Sequence, residues 1–305
     1  MSENNENIFC VDIGGSKLVC GALTREGEIL DTVRYDYPAD YDLDMLIGFI
    51  REAYAKLSSY PFGYCGAAIP GLCDPERGLW LYSSFSGLAD IPIANILTEM
   101  TGLTTYVDND VNISALAERY FGVCKNVRDF MWITVSNGIG GGVYLDGRLY
   151  RGPRMTSGEI GHVIVEEDES KARLCGCGSR GCLEAMASGA SIGAIYNERM
   201  GTSLTAKDVA ALAYEGDAEA IRVWSEAGAY IGKAAACAAN LFGIGTFVLG
   251  GGAAEAFELL YPSADAALKK YVFTKANPDV RILHSEPGRF AALKGCAALV
   301  LDSIG

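Results

Sequence analysis

Three glycine-rich turns, each directly after a short apolar run, constrain this chain more than any other feature: VDIGGSK at 11–17, SNGIGGG at 136–142 and LGGGAA at 249–254. Glycine clusters bounded by apolar and β-branched runs read as strand ends. Strand ends are where α/β proteins build their ligand sites. In the first, Ile8 to Ile13 is a strand, Gly14 and Gly15 turn, and Lys17 to Leu23 returns, so a β-hairpin opens the chain. The second repeats the pattern: Phe130 to Val135 leads into Asn137, Gly138 and Gly140, and Asp146-Gly147 signals a further hairpin. The third, Gly250, Gly251 and Gly252, follows the strand Thr246 to Leu249.

Each turn supports two readings. Glycines let backbone N–H groups approach an anion, and with Asp12 at the strand end and Ser16 and Lys17 as further donors they make a phosphate cradle. Two hairpins would then grip the β- and γ-phosphates of a triphosphate while the third leaves room for a flat base. The plainer reading is a β-turn or a place of close packing, since none of the three has the P-loop spacing.

Helices and strands alternate between the turns. Leu43 to Leu57 has helical period, Tyr64 to Ile69 is a buried strand stopped by Pro70-Gly71, and Ile91 to Met100 is a second helix. Thr104 to Val107 is a strand, and the polar run Asp108-Asn109-Asp110 marks the junction to a helix over Val111 to Tyr120. Ser188 to Leu241 is mostly helical, and a helix near Ala291 to Leu301 closes the chain. This is α/β patterning. With 305 residues the chain exceeds one core of ordinary size, so two lobes flanking a cleft are expected. The divisions fall near Val111 and Arg289, giving an N-terminal lobe of 1–111 plus 290–305 and a C-terminal lobe of 112–289.

Charge and patterning exclude several partners. A net charge of −13 without a basic stripe argues against nucleic acid. The polar N-terminus lacks an export signal, and the uncharged stretch Ala234 to Ala254 is broken by Asn240 and glycines, so no membrane span is expected and the cytoplasm is the default. Of ten cysteines, Cys10, Cys20, Cys65, Cys73, Cys124, Cys237 and Cys296 sit singly in apolar or small-residue segments and read as buried reduced thiols. The other three, Cys175, Cys177 and Cys182, form CxCx₄C downstream of His162, the Cys₃His set of a structural zinc site, with glycines that let the loop wrap an ion. A redox pair would use CxxC, which is absent here. The remaining candidates for chemistry are the carboxylates Asp108, Asp110, Glu159 and Glu184. An Asp before a helix is often a cap, and Asp110 could be both cap and catalyst.

DIGGSK, AIPG, Asn109-Asp110, GEIGH, CGCGSRGCLE and LGGG occur in one order, and Val135 to His162 carries Gly138-Ile139-Gly140, Gly142, Gly152, Gly158 and Gly161-His162 in register. In these motifs the chain resembles the ROK family of repressors, open reading frames and sugar kinases, over essentially its whole length. The resemblance implies a two-lobed, actin-like and hexokinase-like (ribonuclease H-like) α/β ATPase fold with a Cys₃His zinc loop, in a homodimer. It implies ATP-dependent phosphorylation of a hexose hydroxyl, glucose to glucose 6-phosphate first, with N-acetylmannosamine, N-acetylglucosamine, fructose, allose or β-glucosides as alternatives. Asp110 would be the general base, kept ionised by the helix dipole. Gly71, Asn109, Glu159, His162 and Glu184 would hold the other sugar hydroxyls, and Asp12 would orient hydrated Mg²⁺. ATP would lie on Gly14, Gly15, Ser16, Lys17, Asn137, Gly138, Gly140 and Gly250 to Gly252. His162 would bind zinc through one ring nitrogen and a sugar hydroxyl through the other.

Departures from the family pattern are Asn137 in place of Thr, SSFSGL at 83–88 in place of an Asn-containing segment, and a longer zinc loop. They bear on which sugar is taken and how the second turn holds phosphate. A repressor of the family would carry a helix-turn-helix domain ahead of DIGG, for which the stretch before Asp12 is too short. A sensor that binds sugar without phosphorylating it would not need Asp12, Asp110 and all three turns.

Overall fold

The computed structural model describes residues 6–38, 41–83 and 86–305. The chain divides into two compact units, Met1–Asn126 with Arg151–Thr156 and Phe290–Gly305, and Val127–Tyr150 with Ser157–Arg289. The sequence places the divisions near Val111 and Arg289. Beyond Val111 the helix that begins there continues to Phe121 and stays with the first unit.

Unit 1 is built on β1 (Asn7–Ile13), β2 (Lys17–Leu23), β3 (Ile29–Asp36), β4 (Phe62–Ile69) and, after a small antiparallel sheet of β5 (Leu72–Asp74), β6 (Leu79–Tyr82) and β7 (Ala89–Ile91), β8 (Thr104–Asn109). The main sheet has the order β3-β2-β1-β4-β8. β1 pairs antiparallel with β2 and parallel with β4, and β4 pairs parallel with β8. Strands β1 and β4 are nearly continuous apolar runs because helices cover both faces. Those helices are α1 (Leu43–Lys56), α2 (Ile93–Thr101), α3 (Asp110–Phe121) and the last, α9 (Ala291–Ile304). Phe9, Val11, Ile50, Trp80 and Leu97 are buried in the core between sheet, α1 and α2. α9 lies on α3, β1 and β4, with the Cys296 thiol donating to the Val11 carbonyl at 3.4 Å.

Unit 2 uses the same plan. β9 (Phe130–Val135), β10 (Ile139–Leu145), β11 (Arg148–Leu149), β12 (Thr246–Gly250) and β13 (Arg281–His284) take the order β11-β10-β9-β12-β13. Here too the pairings around the first strand are antiparallel on one side and parallel on the other. α4 (Leu183–Ala187), α5 (Gly189–Met200), α6 (Ala206–Tyr214), α7 (Ala218–Phe242) and α8 (Phe257–Tyr271) complete it. Asp217 caps α7, accepting the Ala220 N–H at 2.7 Å, and the small residues of α7 let it lie close along α8. Among the described residues no helix is long and apolar enough to cross a membrane.

None of the ten cysteines is in a disulfide, as a reduced state requires, but Cys237 is exposed rather than buried. It lies on α7 between buried Ala236 and Ala238 and faces outward with Asn240 and Leu241, so the apolar stretch around it is a helix with one wet face.

Candidate active site

In unit 1 the ends of three adjacent parallel strands carry the candidate groups. Register places Asp12 beside Ala68, Ala68 beside Asp108, and Ile69 beside Asn109, so Asp12 near the end of β1, Pro70-Gly71 just after β4 and Asn109-Asp110 at the end of β8 come side by side. The first glycine turn closes with the Gly14 N–H donating to the Lys17 carbonyl at 2.8 Å. Tyr37, which no motif singles out, braces it by donating its hydroxyl to the carbonyls of Gly14 (2.8 Å) and Lys17 (3.1 Å).

Asn109, not Asp110, is the N-cap of α3. Its Oδ1 accepts the N–H groups of Val111 (2.9 Å) and Asn112 (3.3 Å), and its Nδ2 donates to the Gly71 carbonyl at 2.9 Å. Gly71 has φ +88°, which a side chain would strain. Asp110 is thereby released from capping and occupies the first helical position, with Oδ1 accepting the Val111 N–H at 3.0 Å.

The expectation that the helix dipole keeps Asp110 ionised is corrected here. Desolvation, and then the charge of Asp12, push its carboxyl from the ordinary 3.8 up to about 7, although the residue keeps some solvent contact. The helix-end donors act in the opposite direction and are outweighed. Asp12 is likewise pushed up by burial, to about 6, with Lys17 partly offsetting the rise. Both carboxyls are thereby shifted out of the usual carboxylate range toward neutrality.

In unit 2 the second and third turns lie side by side. Gly250 is opposite Thr134 in register, the Ala253 N–H donates to the Val135 carbonyl at 2.9 Å, and the Ser136 N–H closes its turn on the Gly138 carbonyl at 2.9 Å. A Cβ on Gly251, at φ +94°, would lie 2.7 Å from Thr134 Oγ1, so this position requires glycine for packing as well as for backbone conformation.

GEIGH is pressed onto β10. A Cβ on Gly158 would run into the Gly141 carbonyl and one on Gly161 into the Ile139 carbonyl, so both glycines permit backbone contact. This fixes where Glu159 and His162 emerge. Both are exposed, with His162 Nε2 3.8 Å from Glu159 Oε2. The other ring nitrogen, Nδ1, is 3.7 Å from Cys175 Sγ.

His162, Cys175, Cys177 and Cys182 offer donor atoms within 4.8 Å of one another. Cys177 Sγ and Cys182 Sγ are 3.6 Å apart. Thiolates bound at ~2.3 Å around a tetrahedral ion stand roughly 3.7 Å from each other, so this donor set suits zinc in size and in chemistry. The Ser179 N–H, first among several donors, draws the Cys177 thiol down to about 7, whereas desolvation pushes Cys182 up to about 12.

Glu184 does more than the motif implies. Its Oε2 accepts the Ile139 N–H at 3.0 Å and its Oε1 lies 4.0 Å from Cys175 Sγ, so one side chain joins the cysteine loop to the second glycine turn. Sequence spacing gives no hint of a bond across 45 residues. Arg151 is also unmarked by any motif, and it pairs with the buried Asp108. The segment SSFSGL falls partly on Ser84 and Phe85, which lie outside the described residues.

Proteins similar to this chain include kinases and regulators. A ROK family glucokinase from Streptomyces griseus, solved with glucose and AMPPNP, superposes with a TM-score of 0.85 at 27% identity over 98% of this chain and 100% of that one. A ROK family transcriptional regulator superposes with a TM-score of 0.89 at 26% identity over 98% of this chain and 78% of its own. Among curated relatives, the glucokinase of Thermotoga maritima is 28% identical, covering 97% of both chains. The N-acetyl-D-glucosamine kinase of Photobacterium profundum is 30% identical over 94% of this chain and 97% of its own. The architecture is therefore the hexokinase-like α/β fold. A family model described as "ROK family" matches residues 8–303, and the chain belongs to the ROK family.

Proposed function

We propose that this chain is an ATP-dependent sugar kinase that phosphorylates a hexose hydroxyl, in the first instance glucose to glucose 6-phosphate. The observation that carries the reading is Asp110, a carboxyl held by the Asn109 cap at the start of α3 with its pKa raised to about 7. Phosphoryl transfer needs positioning, charge stabilisation and one group to take the hydroxyl proton. The sugar oxygen would form a bond to the γ-phosphorus as the bond to the ADP oxygen breaks, and Asp110 would accept the proton.

Asn109, whose Nδ2 donates to the Gly71 carbonyl, would with Glu159, His162 and Glu184 hold the remaining hydroxyls. The glycine turns at 14–17, 137–140 and 250–252 would hold the phosphates and base. Asp12, a hard oxygen donor beside the first turn, suits hydrated Mg²⁺, which when bound neutralises phosphate charge. Zinc on His162 and the three cysteines would fix the imidazole tautomer and leave Nε2 for a hydroxyl.

N-acetylglucosamine is the second substrate reading, favoured by the 30% identical relative of that name. The net charge of −13 and the reduced thiols support a cytoplasmic enzyme without a nucleic-acid partner. A coupled assay of ADP release across glucose, N-acetylglucosamine, N-acetylmannosamine, fructose and allose tests the reading. Turnover with one sugar, and loss of kcat in Asp110→Asn by about 10²-fold or more with sugar affinity within about tenfold, is expected. Sugar binding with no ADP released would make the protein a sensor instead.

A further inference from the structure

Asp108 is a buried acid for which the kinase motifs provide no task. Its side chain is 1% exposed, at the end of β8 one residue before the α3 cap. Oδ1 accepts the Asn109 N–H at 2.7 Å and the Asn112 Nδ2–H at 3.1 Å, and Oδ2 accepts the Arg151 Nε–H at 2.7 Å. Arg151, 26% exposed, opens the short segment Arg151–Thr156 that belongs to unit 1 although the residues on either side of it belong to unit 2. Among the described residues, Cys73 and Asp74 of β5 are further titratable groups close to this pair.

A charge this deep is costly unless paired and fully hydrogen-bonded, as Asp108 is here. The bonds run in series. Arg151 donates to Asp108, Asp108 accepts from the Asn109 backbone, and the Asn109 side chain clamps Gly71 and caps the helix on which Asp110 is the first residue. We propose that Asp108 is a positioning residue for phosphoryl transfer, with Arg151 as its countercharge, setting the Asn109-Asp110 step against Gly71. The role rests on the kinase reading above. It follows from the steep dependence of such reactions on placement, where about 1 Å can cost ~10²-fold in rate.

Four variants test this: Asp108→Asn, Asp108→Glu, Arg151→Met and the double variant Asp108→Asn/Arg151→Met. Asn keeps the shape of Asp108 but turns an amide against the Arg151 donor or loses the acceptor for Asn109. The double variant removes both charges, so no ion is left buried without a partner. Expected are a kcat lower by about 10- to 100-fold in Asp108→Asn with sugar KM within about threefold, and partial recovery of kcat in Asp108→Glu. In the double variant, thermal stability should return toward wild type while kcat stays low.

A pair that serves only as a structural latch would regain kcat together with stability in the double variant, and that outcome overturns the proposal. So does Asp108→Asn with near wild-type kcat. If the single variant does not fold, kcat of the double variant decides alone. Wild-type protein that turns over no sugar overturns the kinase reading and this role with it, whereas an active wild type with an equally active Asp108→Asn overturns the positioning role only.

Discussion

Replacing Asp110 by Asn should make the ligand-free protein more stable while removing its activity, and the gain should depend on pH. A carboxyl whose pKa rises on folding stabilises the fold fully below its unfolded value, near 3.8, and that contribution is lost as pH climbs through the folded value, about 7. Above pH 7 the wild type therefore carries an ionised group in a place that disfavours the ion. The gap between 3.8 and about 7 sets an upper limit of ~4 kcal/mol. The solvent contact that Asp110 retains reduces this, and about 1–2 kcal/mol is expected. The amide introduced by Asp110→Asn cannot ionise, so the stability difference should be near zero at about pH 4, open as pH rises toward the folded value, and level off by about pH 8. Urea unfolding of both proteins at these pH values, without sugar, nucleotide or added Mg²⁺, measures it. A difference that does not change across this range would refute the assignment of strain to the Asp110 charge. Because Asp12 is the second cause of the rise, Asp12→Asn should remove part of the same gain.

Cys177→Ser should lose one bound zinc per chain, by metal analysis of protein purified without added metal, and sugar binding should fall with it. Full sugar affinity in metal-free protein would separate His162 from the metal. Gly138→Ala places a Cβ 2.5 Å from Glu184 Oε2, so the carboxylate must leave the Ile139 N–H. A rise of about tenfold in ATP KM, with near wild-type thermal stability, is expected; an unchanged ATP KM would mean that this turn holds no phosphate.

How much of this was legible in sequence follows from which forces act locally. β9, the junction at Asp108-Asn109-Asp110 and the start of α9 at Ala291 come straight from period and turn chemistry. β13 is four residues long with an exposed Arg281 and His284, too short and too polar to stand out, and it is a strand because it pairs with β12. α8 carries Pro262 as its sixth residue, past the first turn where proline is tolerated, and the helix nonetheless continues to Tyr271, which a breaker rule does not foresee. The cysteine loop was legible because three ligands of one chemistry sit close together in the chain, at 175–182. The charge state of Asp110 was not, because it depends first on burial and then on Asp12, far away in sequence and brought close by the order of the strands. For the same reason Asp108 gave no sign of its partner, 43 residues on.

The position of α9 bears on how the chain matures. Its residues are the last of unit 1 to be made, yet they cover β1 and β4 and pack against α3, where Gly295 sits so close to the Ile113 backbone that no side chain fits. As the polypeptide leaves the ribosome, Val127 to Arg289 can close its own core first. The half that carries Asp12 and Asp110 must meanwhile wait with an apolar face uncovered, the condition in which a nascent chain recruits chaperones. A protein cut at Arg289 would keep every residue assigned to the reaction and still be unable to finish the scaffold that holds Asp12 and Asp110.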